Sequence, residues 1–166
     1  MTAHLVDVFR AVLTNGGALV ATFAVRDVDA VAHWFLSRNR FEEFGFLELL
    51  LTSRALTAAL PDLAPVDDDP AAGFEETSPL LWDGQLAWAL ASGGARGGFR
   101  GSAADAKELG RQVSDEVIRN RFEDFRLDRS HQSWSEWFRG IVWDGTWVLT
   151  DSRQQRVTLL CTTDSD

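Results

Sequence analysis

The chain has 166 residues and holds 16 Lys and Arg residues against 25 Asp and Glu residues, so its formal net charge is −9. This length suits one globular domain with a core of its own. A chain this acidic repels phosphate backbones, which makes nucleic acid an unsuitable partner. Its single cysteine, Cys161, excludes an internal disulfide and a thiolate zinc cage, and we expect it to be inert core.

The sequence shows no targeting or membrane segment. The first residues lack the basic region, apolar stretch and cleavage site of a signal peptide. No apolar run reaches the roughly 18 residues that cross a bilayer. We therefore expect a cytoplasmic protein that binds no metal or other cofactor.

The sequence of the N-terminal half predicts a helix, a strand and a second helix. Apolar side chains at helical spacing predict a helix over residues 5–13, and residues 18–26 read as a strand buried on both faces. Asp27 is placed to cap a helix that runs to about Ser37, with inward-pointing side chains at Val28, Val31, Trp34 and Phe35. Residues 41–60 fit a strand and a helix equally well.

Residues 61–79 contain all four prolines and most of the excess acid. We expect a long surface loop that does not join the sheet, because proline cannot donate to a strand ladder.

Two Asp-Gly pairs predict β-hairpins, at residues 80–88 and 141–149, because this dipeptide favours a type I′ turn. Each hairpin is expected to gain a third strand, at residues 96–100 and 156–162. Between them, Ser102 and Asp105 form a capping-box pair that starts a helix. The fold class we expect is a single α+β domain, residues 1–166, with antiparallel meanders and three to four helices packed on one side.

One short repeat occurs, because residues 38–44 recur as residues 119–125 with a displacement of 81. The two interpretations are a gene duplication and a helix end that is used twice. The sequences around the two copies do not match, which favours the second interpretation.

The acidic segment is the predicted partner-binding site, carried by Asp67, Asp68, Asp69, Glu75 and Glu76. Carboxylates that are adjacent in sequence seldom converge on a cation, so we interpret Asp67–Asp69 as a charged surface and not as a metal site. An acidic surface speeds the capture of a basic partner by electrostatic steering.

A second candidate lies among the tryptophans. Trp134, Trp137, Trp143 and Trp147 are either core or the wall of an aromatic pocket, and Arg129 and Arg139 are near them in sequence. No catalytic motif is present. The candidate catalytic centre is His131 with Asp128 and Asp144, but the favoured interpretation of His131 is a surface histidine.

These observations favour a small acidic protein that docks on a basic protein partner. Immunity proteins that block toxin nucleases share this combination of size and charge. The alternatives are a small enzyme or ligand-binding domain that uses the Trp-rich C-terminal half, and an accessory subunit of a larger assembly.

Overall fold

The computed structural model describes residues 3–25, 30–66 and 69–165. Helices predominate in its first two thirds, and three strands follow the last helix. The helices are α1 (Ala3–Val12), α2 (Ala30–Leu36), α3 (Phe46–Leu51), α4 (Arg54–Ala59), α5 (Trp82–Ala91) and α6 (Ala103–Ile118). The strands are β1 (Gly17–Ala24), β2 (Glu75–Thr77), β3 (Phe125–Ser130), β4 (Gly145–Asp151) and β5 (Arg156–Thr163).

The described strands form one five-stranded sheet in the order β1-β5-β4-β3-β2, and every neighbouring pair is antiparallel. The predicted class, a single α+β domain built on antiparallel strands, is confirmed. The β4–β5 hairpin turns through residues 152–155, and the predicted strand after that turn is β5. No helix in the described part of the chain has the length and apolar character needed to cross a bilayer.

Both faces of the central strands are buried. Every residue of β4 is buried, and in β5 only Arg156 is exposed. On one face α1, α5 and α6 pack against Trp147, Leu149 and Leu160. Gly110 of α6 permits close approach to α5, because a Cβ there would overlap the carbonyl oxygen of Asp83.

The opposite face is covered by α3, α4 and the loop of residues 131–144, which pack against Val148, Val157 and Leu159. Side chains alternate between the two faces along each strand, so one strand supplies both cores. Two of the three helices on the first face, α1 and α6, agree with predicted helices, whereas the sequence predicted neither α5 nor the second layer.

The first predicted hairpin is wrong, because residues 82–91 form α5 and the preceding residues 79–81 form a 3₁₀ turn. Trp82, Leu86 and Leu90 are fully buried and lie four residues apart, which is the spacing of one helix face. Burial of this stripe outweighs the turn preference of Asp83-Gly84.

The second predicted hairpin is misplaced. Asp144 belongs to the loop before β4, and the strand begins at Gly145. Strand β4 pairs with β5 on one side and with β3 on the other, and the sequence did not predict β3 as a strand. Residues 96–100 form no strand, and the glycine-rich turn before them is held by Asp164, whose carboxylate accepts the Ala95 N–H at 2.8 Å.

The prediction for α2 is right in position and wrong in orientation. Val31 is 61% exposed and Trp34 is 41% exposed, while Ala32 is buried. Arg38 lies over the Trp34 ring, with its guanidinium carbon 4.6 Å from the ring centroid. Asp27 and Val28 lie outside the described residues.

The strand β1, predicted to be buried on both faces, is an edge strand and only partly buried. Nothing pairs with its second side in the described sheet.

The expected loop at residues 61–79 does join the sheet. Its Glu75–Thr77 segment pairs with β3 as the edge strand β2, and Pro65 makes an isolated bridge to Ser135. The prolines at 70 and 79 flank this strand and leave its backbone donors free for the ladder.

The short repeat has a structural counterpart. Each copy follows a helix, and Asn39 and Asn120 both adopt a positive φ, of 54° and 59°. Arg40 then pairs with Glu43, as Arg121 pairs with Asp124. The geometry is that of a helix end used twice.

The capping box at the start of α6 is confirmed and makes a stability prediction. Ser102 accepts the Asp105 N–H, and Asp105 in turn accepts the Ser102 N–H at 2.7 Å. Ser102→Ala should therefore lower the free energy of unfolding by about 1 kcal/mol. Ser92→Ala is the control, because the exposed Ser92 hydroxyl makes no hydrogen bond with a described residue. Equal denaturation midpoints for the two variants would contradict a role for the cap.

Candidate functional site

An acidic cleft opens beside β3 on the face covered by α3 and α4. It has a volume of about 210 Å³ and combines aromatic walls with carboxylates. We define this acidic cleft by the residues Phe41, Glu42, Phe46, Glu48, Asp69, Phe74, Arg126 and Asp128. Four carboxylates and one guanidinium therefore line a single concave surface.

Its floor is a buried ion pair that the strand geometry creates. Arg126 and Asp128 are two residues apart on β3 and so share a face. The guanidinium binds both oxygens of Asp128, with Nε 2.9 Å from Oδ2 and Nη2 2.6 Å from Oδ1. Two-point contact of this kind is the strong form of a charge-assisted hydrogen bond.

Two further carboxylates reach the same guanidinium. Glu76 lies opposite Asp128 on β2, and its Oε2 is 2.8 Å from Nη1 of Arg126. Glu42 follows α2 and accepts a bond of 3.3 Å from Nη2. The guanidinium carbon also lies 5.3 Å from the centroid of the Phe41 ring, within the range of a cation–π contact.

Burial and the surrounding charges shift the pKa of both members of the pair. Burial raises the pKa of Asp128, and Glu76 and Glu42 add to that effect, while Arg126 opposes it. Burial lowers the pKa of Arg126, but its hydrogen bonds and charge contacts with Asp128 outweigh burial and raise it. One guanidinium thus serves three carboxylates, and the cluster keeps a negative charge.

Two more carboxylates of the cleft are not engaged with a cation. Glu48 on α3 and Asp69 before β2 are exposed, and neither forms an ion pair with a described residue. Among the described residues, the Asp69 carboxylate accepts one hydrogen bond, from the backbone N–H of Ala71 at 3.2 Å. Their charge is free to act on a ligand that enters the cleft.

Two of the five predicted partner-binding residues, Asp69 and Glu76, lie at this cleft. Asp69 lines it, and Glu76 binds its arginine from the edge strand. Glu75 is the neighbour of Glu76 on β2 and points to the other face, opposite Arg129. Asp67 and Asp68 lie outside the described residues.

The four predicted tryptophans do not form one pocket. Trp134 and Trp137 pack with Phe138 on the α3–α4 face, at ring-centroid distances of 5.5 and 5.2 Å. Trp134 is 1% exposed and donates its indole N–H to Thr146, so it is core. Trp143 and Trp147 line a separate cavity on the opposite face.

The three residues considered for catalysis are also not brought together. Asp128 belongs to the acidic cleft, whereas His131 and Asp144 line the cavity on the other face. The Asp144 carboxylate accepts hydrogen bonds from its own loop and from β5. Its donors are Ser133 Oγ, Arg139 N, Gly140 N, Ile141 N and Thr163 Oγ1. Asp144 is therefore a structural residue that shapes residues 131–144.

The described residues offer few groups that could bind a metal ion or act as a nucleophile. The described residues contain no cluster of three or more His, Cys, Asp or Glu side chains arranged to hold an ion. Cys161 is buried, and burial raises its pKa to about 12, which suppresses the reactive thiolate.

Sequence reasoning missed Glu42, Glu48 and Arg126. Arg126 and Asp128 carry a usable signal, since opposite charges at alternate positions of a strand share a face. That signal depends on recognising β3 as a strand. No local pattern indicates that Glu42 and Glu48 converge on the same place, because tertiary packing alone sets their distance.

The ion pair at the floor of the cleft makes a stability prediction. Arg126→Met leaves Asp128 buried without a counter-charge and should cost about 3–5 kcal/mol near neutral pH. In that variant Asp128 binds a proton more tightly in the folded than in the unfolded chain, so the cost should shrink as the pH falls through the raised pKa toward about 3.9. Chemical denaturation at several pH values measures both effects.

Arg153→Met is the matched control, because Arg153 is 71% exposed and lies 3.6 Å from Asp124. A surface pair of this kind contributes at most about 1 kcal/mol. An Arg126→Met cost no larger than that of the control would show that the buried pair does not anchor the cleft.

Comparison with known proteins gives a fold and no family. No protein-family model and no curated protein matches the chain. Among solved structures, citrus MAF1 in space group P 31 2 1 aligns over 98% of each chain with a TM-score of 0.52 and 13% identity. The same protein in space group C 2 2 21 aligns over 98% of each chain with a TM-score of 0.45 and 15% identity. At this identity, the first alignment shows a shared α+β fold alone.

Proposed function

We propose that this protein binds a basic protein partner and that the acidic cleft receives one of the partner's lysine or arginine side chains. The single observation that supports this most strongly is the charge of the cleft, in which four carboxylates face one guanidinium. That guanidinium is already held by Asp128, Glu42 and Glu76. An entering anion would meet repulsion, and an entering cation would find unpaired carboxylates.

The size of the cleft favours a side chain as its occupant. Its volume of about 210 Å³ falls below the range of about 300–1,000 Å³ that is usual for small-molecule sites. Lys and Arg combine an apolar stem with a charged head. The stem would lie against Phe46 and Phe74, and the head would reach Glu48 and Asp69.

The surroundings of the cleft support long-range attraction as well. Asp67 and Asp68 directly precede Asp69 in the sequence, and the whole chain carries a formal net charge of −9. Charge of one sign around a concave site raises the rate of encounter with an oppositely charged partner. The proposal retains the expected cytoplasmic location.

Binding of a defined basic peptide tests the proposal. The probe is an acetylated, amidated peptide that repeats Gly-Ser-Arg three times, and its control replaces every arginine with uncharged citrulline. We expect the arginine peptide to shift the backbone amide signals of the cleft residues at low salt. The citrulline peptide should have at least about tenfold weaker affinity, because it lacks charge-assisted hydrogen bonds.

Variants then assign the interaction to the cleft. Glu42→Gln, Glu48→Gln and Asp69→Asn combined should weaken peptide binding by about tenfold at about 0.01 M salt and much less at 0.15 M, where the Debye length is about 8 Å. The control combines Asp7→Asn, Glu116→Gln and Glu123→Gln, three exposed residues that form no ion pair with a described residue. Equal weakening by both triple variants would mean that net charge alone binds the peptide and would contradict a specific cleft.

A further inference from the structure

The cavity on the opposite face of the sheet has a different chemistry. It lies between α1, α5 and the sheet and has a volume of about 130 Å³. We call it the aromatic pocket and define it by Phe9, Trp88, Arg129, His131, Trp143 and Trp147. It contains a cation where the acidic cleft contains an excess of anions.

Arg129 has no counter-charge in the described part of the chain. Its Nε is buried without a hydrogen-bond partner, and the guanidinium makes no ion pair with a described residue. Glu75 lies opposite it in the register of β2 and β3, yet no ion pair joins the two. Its contact is with Trp147, whose ring centroid lies 5.6 Å from the guanidinium carbon. A buried N–H without an acceptor carries a desolvation cost. The two terminal nitrogens are not buried in this way and also have no acceptor among the described residues, so they are open to a ligand.

The other polar groups of the pocket are mostly engaged. The indole N–H of Trp147 donates to Gln85 at 3.0 Å, and the Asp144 carboxylate is filled as described above. His131 Nδ1 lies 2.9 Å from the carbonyl oxygen of Asp144. A carbonyl only accepts, so Nδ1 carries the hydrogen and Nε2 is left for another partner. Arg129 is thus the principal charged group available to a ligand, beside the open Nε2 of His131 and the Ser92 hydroxyl.

The rim and the size of the pocket define the rest of the ligand. Trp88 is 70% exposed at its edge, and Val142 beside it is 83% exposed. Large apolar side chains this exposed around a concave site mark a binding surface. A volume of about 130 Å³ is close to that of an engineered apolar cavity of about 150 Å³ that holds benzene, so the pocket has room for one aromatic ring.

We propose that the aromatic pocket binds a small aromatic carboxylate, with the carboxylate on Arg129 and the ring between Trp88 and Trp147. A bidentate contact from its two terminal nitrogens would give them the acceptor that the described residues do not supply. The aromatic walls would supply ring contacts, which for offset or edge-to-face pairs exceed simple burial. This site is distinct from the acidic cleft and does not depend on the function proposed for that cleft.

Benzoate, benzamide and acetate are the probes, added to the full chain. Binding is measured by calorimetry and by the indole N–H signals of the seven tryptophans, each assigned with a Trp→Phe variant. We expect benzoate to shift the Trp88 and Trp147 signals. Benzamide keeps the ring without the charge, and acetate keeps the charge without the ring, so each should have at least about tenfold weaker affinity.

Two variants locate the contacts. Arg129→Gln should weaken benzoate binding by about tenfold or more, while Arg153→Gln, which removes an exposed arginine, should leave it unchanged. Because Arg129→Gln can disturb the fold, Trp88→Ala provides a second test at an exposed position. Loss of affinity in both variants would support the proposal. Failure of millimolar benzoate to bind the wild type, or unchanged affinity in Trp88→Ala with the wild-type fold, would overturn it.

Discussion

The architecture follows from one constraint, which is that the central strands β4 and β5 are buried on both faces. Many antiparallel sheets leave one face in water, whereas this one needs a cover on each side. Helices α1, α5 and α6 cover one face, and α3, α4 and the loop of residues 131–144 cover the other. Each cover is incomplete near β3, and a cavity lies on each side of that strand.

Strand β3 supplies one arginine to each of the two cavities. Its side chains alternate between the faces, so Arg126 points into the acidic cleft and Arg129 into the aromatic pocket. Arg126 contacts Asp128, Glu42 and Glu76, whereas Arg129 has an aromatic ring and no described carboxylate. Strand β3 therefore places on one face an arginine with three carboxylate partners, and on the other face an arginine with no described carboxylate partner. This difference underlies both proposals.

The sequence predicted the elements whose signals are local. The cap at Ser102 defines α6, and the apolar stripe from Leu5 to Leu13 defines α1. The Asp83-Gly84 pair predicted a turn that does not form. Burial of Trp82, Leu86 and Leu90 on one helix face stabilises the chain more than a turn at this pair would. For the site, an acidic surface and an aromatic pocket were predicted, but Trp134 and Trp143 lie on opposite faces. Tertiary packing alone brings Glu42 to Arg126 and places Glu48 in the same cleft, and no local pattern encodes that packing.

The most direct test of this account compares the two arginines in one NMR experiment. Scalar coupling through a hydrogen bond joins an arginine Nε to a carboxylate carbon only when the two groups are bonded. The account predicts such a coupling from Arg126 to Asp128, whose oxygens lie 2.9 and 3.0 Å from that Nε. It predicts none at Arg129, whose Nε has no partner among the described residues. A carboxylate coupling at Arg129, or none at Arg126, would contradict it.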